Sequence, residues 1–296
     1  MKLAAVLARL DAYERLVRLD KPIGILLLLW PTLWGLWFAV RAVPDWRVLW
    51  IFVMGTVLMR SAGCAINDWA DRGFDSRVAR TQDRPLAAGT IHPQEAVLVA
   101  ATLALAAFMM VVWMLNLATV GLAVVAAVIA LIYPFTKRFL ALPQAWLGMC
   151  FGFGIPMAFA AQTGDVPLFA WLLWGANFFW VLAYDTEYAM VDREDDLKIG
   201  IRTSAILFGR FDVAAVMACY ALFLGAMAAI GAWKELGPAY YSGLFIAAVI
   251  AGYHWRMIRD RSREGCFRAF RHNHWIGCAV FAGIALDNLP RGWTFG

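Results

Sequence analysis

Nine apolar segments, each close to the length that crosses a lipid bilayer, dominate this sequence of 296 residues. A spanning helix needs about 20 mostly apolar residues. Hydrophobic residues make up 62% of the chain and charged residues only 16%, which is typical of a polytopic membrane protein. We therefore predict an all-α integral membrane protein with nine transmembrane helices in one bundle. The predicted segments are residues 23–40, 48–66, 96–114, 118–133, 143–161, 168–188, 213–233, 240–257 and 275–289.

The basic residues predict how these segments are oriented. Apart from Arg60, all but four of the 26 Lys and Arg residues fall on one side of the predicted bundle. The other side holds Arg41, Arg47, Lys234 and Arg291. Because short loops rich in Lys and Arg face the cytoplasm, we predict a cytoplasmic amino terminus and an external carboxyl terminus. The net charge of +5 then reflects membrane topology, and nucleic-acid binding is not expected.

The first 20 residues differ from the rest of the chain. Leucines and valines alternate there with charged residues, which predicts an amphipathic cytoplasmic helix lying on the membrane surface. Acidic residues and the lack of an apolar core argue against a cleavable signal peptide. The five cysteines occur singly and form no CxxC pair, so we expect them to be buried apolar residues. We expect residues 1–296 to form a single domain.

An acidic stretch, NDWADRGFD (residues 67–75), follows the second apolar segment with no linker. If the helix continues through it, about 100° per residue places Asn67, Asp71 and Asp75 on one face, in line with Arg60. Carboxylates packed this closely repel one another unless a cation lies between them. Mg²⁺ prefers such oxygen ligands and is commonly held by one or two carboxylates together with substrate phosphates. The stretch therefore predicts a magnesium site, and a solvated loop is the alternative.

A second acidic stretch repeats the pattern after the sixth apolar segment. Asp192 and Asp196 have the spacing of Asp71 and Asp75 at an offset of 121 residues, and an Arg-Thr pair recurs at an offset of 122. Recurrence of this kind indicates two related halves that meet at a shared site. Asp185 precedes Asp192 by seven residues and so shares its predicted helix face.

Several basic and aromatic residues are predicted to lie near these acids. Arg60 is inside a spanning segment, where a charge is costly and usually faces the bundle interior or a wet cavity; snorkelling to the nearby helix end is the alternative. Tyr133, Lys137 and Arg138 close the fourth segment at the same level as the acids. Cations here suit phosphate oxygens, although a cytoplasmic flank explains them equally well.

The motifs NDWADRGFD, YPFTKR and YDTEYAMVDREDDLKIGIRTSAILFG, together with RTQDRPLAAGTI, closely resemble those of the UbiA family of intramembrane prenyltransferases. The resemblance covers essentially the whole chain. It implies nine helices around a central cavity, with Mg²⁺ and two Asp-rich motifs holding a polyprenyl diphosphate whose tail leaves sideways into membrane lipid. It further implies polyprenyl transfer to C3 of 4-hydroxybenzoate for ubiquinone synthesis, at the cytoplasmic side of a bacterial inner membrane.

The resemblance also assigns roles to individual residues. The implied metal ligands are Asn67, Asp71, Asp75, Asp192 and Asp196. The implied substrate contacts at the diphosphate end are Arg72, Tyr133, Lys198 and one or both of Lys137 and Arg138. Asp68 and Asp195 are expected to support the two motifs. Arg60 matches a position expected to meet the aromatic substrate, and its charge is complementary to a benzoate carboxylate. Asp185 is the candidate base that removes the ring proton.

Two alternatives differ from this interpretation. A prenyltransferase for another acceptor, such as a menaquinone precursor, haem or chlorophyllide, would use the same motifs, but Arg60 and the YDTEYAMVD segment favour benzoate. A cation transporter would also contain acidic residues, but it should carry them near the bilayer midplane. Here the clustered acids all lie at one predicted membrane boundary.

Overall fold

The structure, a computed structural model, describes residues 2–78 and 80–289 and contains helices and no β-strand within those ranges. Arg291, which the charge pattern assigns to the outer side, lies outside the described residues. The helices are α1 (Lys2–Leu16), α2 (Ile23–Val40), α3 (Trp46–Asp75), α4 (Pro93–Met114), α5 (Leu117–Thr136), α6 (Pro143–Gly152), α7 (Gly154–Thr163), α8 (Leu168–Ile199), α9 (Ser204–Phe208), α10 (Asp212–Trp233), α11 (Pro238–Ile258) and α12 (Arg263–Asp287). A 3-10 turn, Gly209–Phe211, joins α9 to α10.

Seven helical stretches in the described ranges are long and apolar enough to cross a membrane. They are α2, α3, α4, α5, the α6–α7 pair, α8, and α9 with α10. The last two predicted segments, α11 and α12, are also helical. They fall short by composition, because α11 contains several tyrosines with a histidine and an arginine, and the first turns of α12 are strongly charged. The fold is thus that of a multi-pass membrane protein, and the predicted number of nine spanning helices is not confirmed.

Both acidic stretches lie in the final turns of long helices. The side chain of Asp45 caps the start of α3 by accepting hydrogen bonds from the backbone N–H groups of Arg47 and Val48, and the helix then runs for 30 residues to Asp75. α8 continues for 32 residues until Gly200, whose left-handed φ of 73° ends it. The prediction that one helix continues through residues 67–75 is therefore confirmed.

The fifth predicted segment is interrupted. α6 ends at Gly152, and α7 begins at Gly154, with Phe153 between them. A Cβ added to Gly154 would lie only 2.2 Å from Thr32 Oγ1, so the close approach of α7 to α2 requires glycine at this position. α2 and α7 share one of the more extensive helix contacts in the described part of the bundle.

A stack of buried aromatic rings joins four helices at the centre of the bundle. The ring of Trp34 on α2 lies 5.2 Å from that of Trp180 on α8, and both lie 5.9 Å from Phe223 on α10. Trp34 Nε1 donates to the carbonyl of Gly277 on α12 at 3.2 Å. Because rings of this size bury large apolar areas, this stack is a principal part of the core.

A polar network lies fully buried between α8, α10, α11 and α12. Asn273 Nδ2 donates to Glu187 Oε2 at 2.7 Å, and Trp180 Nε1 donates to Asn273 Oδ1 at 3.0 Å. Tyr220 Oη lies 2.9 Å from Glu187 Oε1, from Asn273 Oδ1 and from His254 Nδ1. Glu187 lies on a different face of α8 from Asp192, because the five residues that separate them turn the helix by about 500°, which leaves the two side chains about 140° apart around its axis. The network therefore fastens the back of α8 to its neighbours.

We expect Asn273→Ala to lower the stability of the bundle by about 1 to 3 kcal/mol, because it leaves buried groups on Glu187 and Trp180 without a partner. The measurement is the thermal unfolding midpoint of the purified protein in detergent. Ser242→Ala, which removes an exposed side-chain hydrogen bond on α11, should leave the midpoint nearly unchanged. Equal midpoints for Asn273→Ala and the unaltered protein would contradict the assignment of a stabilising role to the network.

Candidate active site

The first acidic stretch, residues 67–75, is called the first Asp motif below, and the end of α5 contacts it. Asp71 Oδ2 accepts a hydrogen bond from Asn67 Nδ2 at 3.2 Å and another from Lys137 Nζ. Lys137 is the residue that terminates α5, so the length of that helix sets its position. The neighbouring Arg138 turns the other way and donates to the backbone carbonyl of Ala70 at 2.8 Å. Of the two adjacent cations that the sequence left open, the structure places Lys137 at the acids.

The loop between α3 and α4 (residues 76–92) is called the basic loop here. It neutralises Asp68 and Asp75. Arg84 Nη1 lies 3.0 Å from both Asp68 Oδ1 and Asp75 Oδ2. Burial alone would lower the pKa of Arg84, but the charges of Asp68 and Asp75 more than offset that effect, so its pKa is raised above the ordinary value. Arg18, just beyond α1, also donates to Asp68 Oδ1 at 2.8 Å. Asp68 is thus a buried supporting acid between two arginines.

The basic loop also contacts the second Asp motif, which is formed by Asp192 and Asp196 on α8. Arg80 Nε lies 3.0 Å from Asp192 Oδ2, and its guanidinium lies 4.5 Å from the centre of the Tyr188 ring. The carboxylate of Asp196, one turn further along α8, accepts no hydrogen bond from the described residues, and Lys137 is near enough to interact with it. Lys137 therefore joins the end of α5 to that of α3, and Arg80 joins the basic loop to the end of α8.

Whether these residues suit a metal ion depends on their oxygen atoms. Within residues 2–78 and 80–289, no three His, Cys, Asp or Glu side chains lie close enough to form a complete metal site by themselves. Asp71 Oδ1, however, is buried and accepts no hydrogen bond. Carboxylate and amide oxygens with incomplete coordination fit Mg²⁺, whose remaining ligands are usually water and substrate phosphate. The donor set is therefore compatible with a magnesium ion shared with a ligand.

Arg60 lies deeper along α3, facing the bundle interior. Its Nε is buried and has no hydrogen-bond partner, and the described part of the chain offers the guanidinium no carboxylate within 4.0 Å. The guanidinium lies 5.7 Å from the Phe151 ring, and a Cβ added to Gly24 would lie 2.6 Å from its Nε. A buried cation without a protein anion is costly, so Arg60 marks a place for an anionic ligand.

Two further polar groups accompany Arg60. The carboxylate of Asp185 on α8 and the phenol of Tyr133 on α5 both lie near Arg60. The hydroxyl of Tyr184 is also buried without a hydrogen-bond partner. Several unsatisfied buried polar groups in one region of a packed bundle are unusual, and they indicate that a polar ligand completes this region.

Two predicted substrate contacts are not brought to the acids. Arg72 is exposed, donates to the carbonyl of Trp69 at 2.6 Å and lies 4.9 Å from its ring. The side chain of Lys198 is 74% exposed and pairs with Asp195 at 3.7 Å. Asp195 also pairs with Arg263 at 3.1 Å. Arg72 and Lys198 stay predictions without structural support, because both side chains point away from the site that the two motifs share.

A small cavity lies beside the first motif. Its volume is about 70 Å³, and its lining includes Asn67, Tyr133, Lys137, Gln144 and Arg202. This volume accommodates a few water molecules and neither an aromatic ring nor a prenyl chain. In the structure, bases of the protein neutralise the acids beside this cavity.

Arg18, Arg80 and Arg84 contact the acids but were not among the predicted site residues. Arg80 and Arg84 are four residues apart in a loop between two polar clusters, and that spacing was the available signal. Arg18 could not have been found in this way, because it belongs to the segment before the first span and lies 50 residues from Asp68 in the sequence.

Comparison with known proteins extends these observations. A model of the UbiA prenyltransferase family matches residues 28–277. The 4-hydroxybenzoate octaprenyltransferase of Thiobacillus denitrificans is 61% identical over 283 residues, which cover 96% of each chain. An apo UbiA homologue from Aeropyrum pernix K1 superposes with a TM-score of 0.79 at 26% identity, covering 89% of this chain and 97% of that one. A UbiA homologue from Archaeoglobus fulgidus bound to GPP and Mg²⁺ has the same fold, with a TM-score of 0.71 at 17% identity over 93% of this chain and 99% of its own.

The helical bundle and its polar site are those of an integral membrane prenyltransferase. The chain belongs to the UbiA prenyltransferase family. The resemblance noted in the sequence motifs is thereby confirmed.

Proposed function

We propose that this protein transfers a polyprenyl group from polyprenyl diphosphate to C3 of 4-hydroxybenzoate, releasing diphosphate, in ubiquinone biosynthesis. The observation that carries the acceptor assignment is Arg60, a half-buried residue whose Nε is buried without a hydrogen-bond partner and which forms no ion pair among the described residues. Its planar fork matches a carboxylate through two parallel hydrogen bonds. The name of the 61% identical relative supports the same substrates.

The diphosphate is proposed to bind where α3, α5 and α8 end. Asp71, Asp75, Asp192 and Asp196, with Asn67, would hold Mg²⁺ there. When bound, the metal ion supplies positive charge that stabilises the leaving diphosphate. Lys137, Arg80 and Arg84 now neutralise these acids, and we propose that they exchange carboxylate oxygens for phosphate oxygens when substrate enters. The exchange keeps every buried charge compensated, which is the condition for holding so many of them inside a protein.

Bond cleavage and bond formation follow from this placement. The allylic carbon–oxygen bond of the donor breaks, and diphosphate leaves with the bonding pair toward Lys137 and the arginines of the basic loop. The electron-rich ring carbon beside the phenol hydroxyl forms the new carbon–carbon bond while Arg60 holds the carboxylate. The ring then loses its C3 proton. Asp185 is the proposed base, because its carboxylate is near Arg60 and accepts no hydrogen bond from the described residues.

Aromatic residues between the two ends have a protective role in this proposal. Tyr133, Tyr184 and Phe151 surround the region of Arg60. Their ring faces can stabilise a developing allylic cation, and their bulk excludes water that would otherwise hydrolyse the donor.

The direct experiment incubates the purified protein in liposomes with 4-hydroxybenzoate, Mg²⁺ and a series of polyprenyl diphosphates. We expect a 3-polyprenyl-4-hydroxybenzoate product, identified by mass spectrometry, and its rate across the series defines the preferred chain length. Phenol, which lacks the carboxylate that Arg60 would bind, is the matched acceptor control and should react far more slowly. Equal rates with phenol and 4-hydroxybenzoate would contradict the acceptor assignment.

The proposed orientation places the site at the cytoplasmic face of the bacterial inner membrane. We expect single cysteines at the exposed positions Ser76 and Lys198 to react with an impermeant reagent only from the cytoplasmic side, because both lie at the basic ends of the helices. A cysteine at Val43, which is exposed at the opposite end, is the control and should react only from outside. Labelling of Ser76→Cys from the periplasm would reverse the orientation.

A further inference from the structure

Helix α1 presents an unpartnered apolar face. Leu3, Val6, Leu7 and Leu10 are 73%, 54%, 57% and 58% exposed. Their spacing of three and four residues puts them on one side of the helix. A contiguous group of large exposed apolar side chains is a mark of an interaction surface, because it is costly to keep in water.

A second face of α1 is attached to the basic loop and the start of α4. Arg9 Nη1 donates to the carbonyl of Thr90 at 2.6 Å, and Tyr13 Oη donates to Glu95 Oε1 at 2.9 Å. Arg15 reaches the carbonyl of Asp83. Between these polar contacts, Leu16 is fully buried in a small apolar cluster that also contains Ile91 of the loop. The second half of α1, from Arg9 to Leu16, therefore packs on the loop and the start of α4.

The residues after α1 connect it to the acids themselves. Arg18 has a left-handed backbone with a φ of 60°, an unfavourable conformation for a residue other than glycine. Its Nη2 lies 2.8 Å and 3.0 Å from the two oxygens of Asp68. Asp68 in turn pairs with Arg84, which also holds Asp75. A continuous series of contacts thus runs from α1 to the first Asp motif.

We propose that α1 is a membrane-docked clamp. Its apolar face inserts into the lipid surface. Its opposite side keeps Arg18 and the basic loop in contact with the first Asp motif. The occupant is assigned as lipid because the chain passes from Leu16 to the membrane span Ile23–Val40 within a few residues, so α1 stays at the level of the headgroups. Lys21, whose side chain is 72% exposed, supplies positive charge that anionic headgroups attract.

The first test locates α1 in the full-length protein with an environment-sensitive fluorophore on Leu7→Cys or Ala8→Cys, corrected for labelling of the native cysteines. Both positions are exposed in the structure, and their side chains diverge by about 100°. In anionic liposomes, the probe at residue 7 should be quenched by a lipid-attached quencher, and the probe at residue 8 mainly by a water-soluble one. Aqueous quenching of both probes, or protection of residue 7 from both quenchers, would overturn membrane docking.

The second test asks whether docking affects the site, and it rests on the proposed function for its assay. We expect the double variant Leu7→Gln with Leu10→Gln to transfer prenyl groups in liposomes at least fivefold more slowly, with an unchanged unfolding midpoint. Ala8→Gln is the matched control and should stay within twofold of the unaltered protein. Unaltered turnover in the double variant would refute the coupling. Absence of 4-hydroxybenzoate turnover in the unaltered protein would instead contradict the proposed function, and the fluorophore test would still report on docking.

Discussion

Asp71→Asn and Asp192→Asn are each expected to lower prenyl transfer by roughly 100- to 1000-fold, which is typical of removing one group that stabilises charge in a transition state. Asp71 has a buried carboxylate oxygen without a partner, and Asp192 is fastened to the basic loop through Arg80. Each substitution removes a negative charge and a proposed Mg²⁺ ligand while keeping the shape of the side chain. The measurement is kcat with saturating 4-hydroxybenzoate, and EDTA should abolish the activity of the unaltered protein.

The matched control for this pair is Asp83→Asn. Asp83 belongs to the same loop as Arg80 and Arg84, but it is exposed and only its backbone carbonyl makes a contact. Its substitution should change turnover by less than about twofold. If either Asp71→Asn or Asp192→Asn retained full turnover, a metal site built from both Asp motifs would be refuted.

The second large effect is expected on the KM for the acceptor, 4-hydroxybenzoate. Arg60→Ala should raise the KM for 4-hydroxybenzoate about 10- to 100-fold, because losing a charge-assisted contact to a buried carboxylate costs about 1.5 to 3 kcal/mol. The KM for the polyprenyl diphosphate should change little, since the residues proposed to hold it lie at the helix ends. Lysine keeps the charge and loses the planar fork, so Arg60→Lys should recover only part of the loss.

Arg72→Ala is the matched control for Arg60→Ala. Both arginines are on α3, but Arg72 is exposed and contacts only Trp69 in its surroundings. Its removal should leave both KM values nearly unaltered. An Arg60→Ala variant with an unchanged acceptor KM and weaker diphosphate binding would make Arg60 a phosphate ligand, and 4-hydroxybenzoate would lose its main support as acceptor.

These two results would probe two parts of the proposed site, the Asp motifs and the surroundings of Arg60. The acids at its mouth are neutralised by Lys137, Arg80 and Arg84, whereas Arg60 in its interior has no such partner among the described residues. Opposite charges held together in this way compensate one another at low dielectric. In the proposed function, substrate entry separates these pairs, and the contacts of the basic loop change.

Much of this arrangement follows from local sequence periodicity. The length of the apolar runs predicted membrane helices, and the four-residue spacing of the aspartates predicted that each motif lies on one helix face. Both depend only on helix geometry, which is the same wherever the helix packs. The continuous course of α3 through Asp75 confirms this prediction. The family motifs likewise depend on short stretches of sequence, and the family was identified correctly from them.

Tertiary packing alone decided which charges pair. Arg80 and Asp192 are 112 residues apart, and Lys137 and Asp71 are 66 apart. Their contacts therefore depend on how α3, α5, α8 and the basic loop pack together. The structure places Lys137 at Asp71 and its neighbour Arg138 at the carbonyl of Ala70, and it brings Gly154 of α7 against Thr32 on α2. The buried Glu187 network also joins four helices. Contacts of this kind have no local periodicity, because they arise from burial and charge compensation between distant segments.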